Sequence, residues 1–186
     1  MNTYKTLILI SVLTAMFTAC STKKAQTKQY FRLTNTTFES TGELKPLTLV
    51  VKRPRALSIL GGRPIVATQA DESLVQLSHN YWIESPKVLL HDKIKQWAKN
   101  YWQAVSYQTP ADTAHQTLET RILAFEKQQD LAVAALEFSM YDDDNQLIFN
   151  QQFKVTEPIQ ADTYKAFTQA MSAAIENILN QLKEQI

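Results

Sequence analysis

The chain has 186 residues, and its 19 Lys and Arg side chains are balanced by 18 Asp and Glu. This balance excludes the strong positive field of a nucleic-acid-binding protein, because long-range attraction to a polyanion requires an excess of one charge sign. Three glycines and one cysteine exclude a glycine-rich phosphate-binding loop and an internal disulfide. The length is sufficient for one domain with a hydrophobic core.

The first 19 residues have the pattern of a secretory signal peptide. Lys5 provides a basic start, residues 7–17 form an apolar run, and the small residues Thr18 and Ala19 precede the only cysteine, Cys20. The run is shorter than the ~20 apolar residues that a membrane-spanning helix requires. We therefore predict that residues 1–19 are a signal peptide that is removed from the mature protein.

The segment from Phe17 to Cys20 resembles the lipobox of bacterial lipoproteins. The resemblance implies that Cys20 becomes the acylated mature N-terminus, with palmitate among its chains, and that Ser21 directs the protein to the outer membrane of a Gram-negative cell, facing the periplasm. An ordinary secretory signal with an unmodified Cys20 is the alternative. Residues 20–29 lack an apolar period, so we predict a lipidated N-terminus and tether before a single periplasmic domain of residues 30–186.

Short runs of alternating or β-branched apolar residues predict strands through the first two thirds of this domain. These runs are residues 30–33, 47–52, 63–68, 73–76, 80–83, 104–107 and 117–125. Pro54 has no amide hydrogen to donate, so the second strand cannot continue through it as a central strand. Gly61 and Gly62 predict a turn before the third strand.

The apolar period changes after Ser85, where a helix is predicted. Ser85 is a favourable N-cap residue, and Pro86 is a favourable first residue of a helix. Large apolar residues then recur at helical spacing and define one face, namely Leu90, Ile94, Trp97 and Tyr101.

The last third of the chain predicts a hairpin and a second helix. Two apolar runs, residues 131–141 and 146–155, flank the turn-forming residues 142–145, as in a β-hairpin. A helix is predicted from Asp162, with an apolar stripe formed by Tyr164, Phe167, Met171, Ala174, Ile178 and Leu182.

Strands combined with two amphipathic helices predict an α+β fold. A mostly antiparallel sheet with both helices packed on one face is the economical arrangement, because each element buries its apolar side against the other layer. No internal repeat is present.

Residue types that serve catalysis or metal binding do not occur in the patterns that these functions require. His79, His91 and His115 have no second histidine or cysteine at metal-ligand spacing. The adjacent aspartates of residues 142–144 lack the alternating ligands of an EF-hand. Ser85 is not surrounded by a Gly-x-Ser-x-Gly motif. We therefore predict no catalytic residue, no metal and no cofactor, and a protein that is not an enzyme.

Three arginines, Arg53, Arg55 and Arg63, lie on either side of a proline-containing loop and at the start of a strand. Guanidinium groups suit carboxylates and phosphates, so these arginines are candidates for contact with a partner protein or a lipid headgroup. Solvated strand ends or an internal ion pair are the alternatives.

The stretch HNYWIESPKVLL, which begins at His79, contains three further contact candidates. They are Tyr81, Trp82 and Glu84. If Trp82 is buried, it supports the fold; if it is exposed, it is the first candidate for a docking contact.

Several segments, in this order, resemble the ABC-type transport auxiliary lipoprotein family. They are YFRL at 30–33, LTLVVKRPRA at 47–56, GRPIV at 62–66, YWIESP at 81–86 and AFTQAMSAAIENILNQL at 166–182. The resemblance places the Pro-Arg of the family on Pro54 and Arg55, its following arginine on Arg63, and its Trp-x-Glu on residues 82–84.

The resemblance implies a non-catalytic, outer-membrane-anchored subunit that docks the periplasmic MCE-domain protein of an ABC-type lipid transporter. Such a subunit should have exposed aromatics and an extended contact surface. A periplasmic lipoprotein that itself binds a small hydrophobic ligand is the alternative, and it should have a closed apolar cavity between sheet and helices. Self-association into a homo-oligomer is also expected of an aromatic-rich surface.

Overall fold

The computed structural model describes residues 26–34, 38, 42–111 and 113–186. The predicted signal peptide, Cys20 and most of the tether lie outside these residues. The strands are β1 (Gln29–Phe31), β2 (Lys45–Val51), β3 (Arg55–Ala56), β4 (Pro64–Thr68), β5 (Leu74–Trp82), β6 (Trp102–Ser106), β7 (His115–Gln128), β8 (Leu131–Tyr141) and β9 (Leu147–Pro158). The helices are α1 (Ser58–Gly61), α2 (Pro86–Ala98) and α3 (Tyr164–Gln185).

Strand β7 organises the sheet. On one side it pairs with β8 along almost its whole length, in antiparallel register, and β8 pairs in the same way with β9. On the other side it pairs in succession with three short parallel strands: with β2 at residues 115–118, with β3 at 121–122 and with β4 at 126–128. Strand β6 continues the sheet beyond β2, and β5 followed by β1 continues it beyond β4.

The predicted α+β fold is confirmed, and the sheet is mixed. Antiparallel pairing joins the three longest strands and also joins β4 to β5. Parallel pairing joins β1 to β5, β6 to β2, and β2, β3 and β4 to β7. The parallel pairs could not be predicted, because no tight turn marks the partner of a parallel strand in the sequence.

Two details of the first half of the chain follow from local chemistry. Strand β2 ends before Pro54, as predicted, and pairing with β7 resumes at Arg55, so the interruption is only local. The predicted short strands at 73–76 and 80–83 are one continuous strand, β5.

Both long helices pack on one face of the sheet, as predicted. Leu90, Ile94 and Trp97 of α2 are buried, and so is the apolar stripe of α3 except for the half-buried Tyr164. They share one core with alternate residues of β8, namely Ala132, Ala134, Leu136, Phe138 and Met140. None of the helices in the described part of the chain is both long and apolar enough to cross a bilayer.

The chain that follows β1 is held between the two helices at Thr34. Its amide donates to Ser172 Oγ of α3 at 2.9 Å, and its carbonyl accepts a hydrogen bond from the ammonium of Lys93 on α2. Burial lowers the pKa of Lys93, and the carboxylate of Glu176 opposes this shift. These contacts fix the position of β1 at the edge of the sheet.

Trp82 joins three elements of the core. Its side chain is 1% exposed, and its ring lies 5.2 Å from that of Phe125 on β7 and 5.8 Å from that of Phe167 on α3. Trp82 is therefore a core residue and leaves the set of contact candidates.

We expect Trp82→Ala to lower the free energy of unfolding by about 3–5 kcal/mol, because it removes a large aromatic side chain from a close-packed core. The neighbouring Ile83, which is 38% exposed, provides the matched control, and Ile83→Ala should change stability by less than about 1 kcal/mol. Urea unfolding followed by circular dichroism measures both. Equal losses in the two variants would contradict the core role of Trp82.

Helix α3 begins two residues later than the predicted Asp162, with Thr163 as its N-cap. Thr163 Oγ1 accepts a hydrogen bond from the amide of Ala166 at 3.1 Å. We expect Thr163→Ala to lower the free energy of unfolding by about 1 kcal/mol and Thr163→Ser to leave it nearly unchanged, since serine retains the acceptor. Thermal unfolding of the two variants tests this capping bond, and a serine variant as unstable as the alanine variant would refute it.

Candidate functional site

Four side chains at the edge of the sheet form a stack that we call the first-strand surface: Lys28, Tyr30, Arg63 and Tyr81. The guanidinium carbon of Arg63 lies 5.1 Å from the centre of the Tyr30 ring. The Tyr30 and Tyr81 rings are 5.7 Å apart, and the Lys28 ammonium lies 5.3 Å from the Tyr81 ring. Two rings therefore stand between two cations.

Strand register produces this stack. Tyr30 lies directly opposite Tyr81 in the parallel pair of β1 and β5. Because side chains alternate along a strand, and Phe31 and Trp82 pack towards the core, the two tyrosines lie on the face of the sheet without the long helices. Arg63 is held beside them, since its Nε donates to the carbonyl of Trp82 at 3.3 Å.

The first-strand surface is accessible and positively charged. Tyr30 is 53% exposed, and Lys28 and Arg63 are also exposed. The ion pairs found among the described residues include neither cation. A cation over an exposed ring gains only about 0.5–1 kcal/mol, so both cations keep hydrogen-bond donors for an anionic ligand.

A second surface lies between α2 and the end of β2, and we call it the Arg53 groove. It is an open groove of about 430 Å³, lined by Val51, Lys52, Arg53, Val88, His91, Lys95 and Tyr107. Three of these residues are cationic, and none is acidic. The groove therefore suits a negatively charged segment with some apolar surface.

Local contacts organise the Arg53 groove. Lys52 donates to Thr109 Oγ1 at 3.2 Å, and Lys95 pairs with Asp92 at 3.3 Å. His91 Nε2 lies 3.1 Å from the carbonyl oxygen of Val51, which can only accept, so His91 carries a proton on Nε2. Arg53 is exposed and takes part in none of the ion pairs of the described chain.

The remaining predicted site residues have other surroundings. Arg55 pairs with Glu119 at 2.6 Å on the sheet, which matches the internal ion pair considered as the alternative. Glu84 is exposed beyond the end of β5. Ser85 is the N-cap of α2, but its side chain accepts no capping hydrogen bond, and its carbonyl oxygen accepts from Val88 and Leu89.

The end of the helix layer carries only a small pocket. It measures about 170 Å³ and is lined by Glu43, Lys45, Trp97, Tyr101, Trp102, Lys183 and Ile186. Ligand sites for drug-sized molecules are usually about 300 Å³ or larger. Burial lowers the pKa of Lys45 and raises that of Tyr101. Within the described ranges, no group of three or more His, Cys, Asp or Glu side chains could hold a metal ion.

Of the residues in the two surfaces, Arg63, Tyr81 and Arg53 were candidates from the sequence, whereas Lys28, Tyr30 and Tyr107 were not. Lys28 and Tyr30 belong to the site only because β1 pairs with β5, and Tyr107 only because its loop reaches the groove. A cation two residues before a tyrosine at the start of a strand was the one available signal for the first two residues.

Two solved structures share the fold. One is a crystal structure of an uncharacterized protein, with a TM-score of 0.71 and 17% identity over 86% of this chain and 98% of that chain. The other is a DUF330-family protein from Xanthomonas campestris, with a TM-score of 0.65 and 18% identity over 84% of this chain and 90% of that chain. No curated protein matched the sequence.

The family comparison covers most of the chain. Residues 31–183 match the family described as the ABC-type transport auxiliary lipoprotein component. This stretch contains all the described strands and helices except the ends of β1 and α3, and the match confirms the resemblance found in the sequence. The chain therefore belongs to the ABC-type transport auxiliary lipoprotein family.

Proposed function

We propose that this protein is a non-catalytic subunit of an MCE-type lipid transport system. Acyl chains on Cys20 hold it at the outer membrane, and the domain docks the periplasmic MCE-domain protein. Membership of a family of transport auxiliary lipoproteins supports this role. The Arg53 groove is the observation that carries the docking part of the proposal, because it is an exposed surface with an accessible aromatic side chain and with an arginine that takes part in no ion pair of the described residues.

Two residues make the groove suitable for a protein partner. Tyr107 is 67% exposed, and tyrosine and arginine are the residue types that most often dominate binding energy at protein interfaces. Lys52 and Lys95 already have local partners, so Arg53 is the cation best placed to pair with a carboxylate of the incoming protein. The groove thus favours an acidic segment of the MCE-domain protein.

The interior supports docking more than transport of a ligand within the domain. Aromatic side chains fill the layer between sheet and helices, including Trp82, Trp97, Trp102 and Phe167, each 2% exposed or less. A carrier of a small hydrophobic molecule would need a cavity in this layer. We therefore favour the docking subunit over the ligand-binding lipoprotein.

We expect the double variant Arg53→Gln with Tyr107→Ala to lower recovery of the MCE-domain protein by at least about 30-fold, since hot-spot residues at interfaces contribute roughly 2 kcal/mol or more. Co-purification from detergent-solubilised envelope measures this. Arg55→Gln is the matched control, because it removes the same charge two residues away and should leave recovery unchanged. Normal recovery with a folded double variant would refute docking through the groove.

Acylation of Cys20 and sorting by Ser21 can be tested separately from docking. We expect Cys20→Ala to abolish incorporation of labelled palmitate, since the acylated thiol is removed, and Ser21→Asp to shift the protein to the inner-membrane fraction on a sucrose gradient. Ser21→Thr is the control and should remain in the outer membrane. Palmitate labelling of the Cys20→Ala variant, or an outer-membrane location for Ser21→Asp, would contradict the proposed anchor and its sorting.

A further inference from the structure

We infer that the first-strand surface binds the phosphate groups of anionic phospholipids in the membrane that holds the lipid anchor. This inference rests on the proposed function, because it requires an acylated Cys20. It adds a second contact, made by the folded domain itself, and it gives the domain a defined orientation on the membrane.

The length of the tether limits how far this surface can move from the membrane. Lys28 stands eight residues after Cys20, and eight residues span at most about 29 Å even when fully extended. Tyr30 follows Lys28 by two residues, and its ring packs against that of Tyr81. An anchored domain therefore keeps Lys28 within about 29 Å of the lipid anchor, and the first-strand surface can reach the headgroups without any change in the fold.

The strand directions place the rest of the domain away from the bilayer. β1 is parallel to β5, β5 is antiparallel to β4, and β4 is parallel to β7, so β1 runs in the opposite direction to β7. Tyr81 lies opposite both Tyr30 and Pro64, and Pro64 comes two residues before Val66, which pairs with Glu126, so the first-strand surface lies level with about residue 124 of β7. The part of β7 between residues 115 and 124 spans roughly 30 Å. The β8–β9 turn at residues 142–145 lies at the far end, beside the start of β7.

Charge at the tether end differs from that of the whole chain. Residues 21–38 contain four cations, Lys23, Lys24, Lys28 and Arg32, and no Asp or Glu. The balanced total charge therefore hides a local excess of positive charge in the N-terminal segment, whereas the β4–β5 and β7–β8 turns carry Asp71, Glu72 and Asp130. Each cation held at an anionic membrane surface strengthens binding roughly fivefold.

The side chains of the first-strand surface match the chemistry of the headgroup region. Arg63 Nε donates to the carbonyl of Trp82. Within the described chain its two terminal amino groups donate no hydrogen bond, so both can donate to one phosphate. Tyr30 and Tyr81 present rings beside these donors, and amphipathic rings are favoured where apolar and polar layers meet. Because Lys28 and Arg63 are each held over a tyrosine ring, their positions are already set before a lipid binds.

The test uses the full lipidated chain reconstituted in vesicles. Cys20 is the only cysteine and is acylated, so Ser78→Cys or Asp143→Cys introduces a unique site for a fluorescent label. Ser78 is exposed, and its carbonyl accepts from the Tyr81 hydroxyl, so it reports on the first-strand surface. Asp143 is exposed in the distant turn. Lipids with a nitroxide on the headgroup quench a label that touches the membrane surface.

We expect quenching at Ser78 and not at Asp143 in vesicles that contain phosphatidylglycerol, and much weaker quenching at Ser78 in pure phosphatidylcholine. Lys28→Gln with Arg63→Gln should lower the contact equilibrium by roughly 25-fold. Arg55→Gln with Lys99→Gln removes the same charge at exposed positions outside both candidate surfaces and should have no effect.

Three results would overturn the inference. A chain that does not float with vesicles lacks the anchor, and the proposed function fails together with this contact. A chain that floats but shows no quenching at Ser78, or quenching independent of lipid charge and of Lys28 and Arg63, refutes the headgroup contact alone. Loss of the Ser78 quenching when purified MCE-domain protein is added to the vesicles would make this surface a protein interface.

Discussion

The register of β7 is the constraint on which the rest of the structure depends. One edge of this strand pairs with β2, β3 and β4 in succession, and the other edge pairs with β8 of the β8–β9 hairpin. The register of β7 against β8 shifts between Ile122 and Ala124, so the residues facing the helices change from Leu118 and Ile122 to Phe125. This irregularity brings Phe125 against Trp82. The register of β7 therefore fixes the positions of both the core residues and the edge strands.

The register of β7 also separates the Arg53 groove from the first-strand surface. The Arg53 groove begins at the end of β2, where Val51 pairs with Leu118 of β7. The first-strand surface belongs to β1 and β5 and lies level with about residue 124 of β7, because Tyr81 is opposite Pro64 and Val66 pairs with Glu126. A contact with the membrane at one position and a contact with a protein at the other can therefore be made by one rigid domain.

Local sequence was sufficient for some elements. The stripe of α3, the hairpin around residues 142–145 and the interruption at Pro54 were all predicted, because each depends on residues that are neighbours in the chain. The four-residue helix α1 was not predicted, since it is too short to show a helical period. The parallel pairs of β2, β3 and β4 with β7 were not predicted either, since their partners lie about 60 residues apart in the sequence.

In the candidate site, too, some features depend on neighbouring residues and others on contacts between distant segments. The sequence by itself determined which residue types were present and where helices and strands could form, because propensity, capping and periodicity act over a few neighbouring residues. Only the tertiary structure decided that Arg55 pairs with Glu119 while Arg53 takes part in no ion pair of the described residues, that Trp82 is buried, and that Tyr30 meets Tyr81. These outcomes depend on contacts between distant segments, and neither burial nor charge pairing at one position is set by its neighbours in the chain.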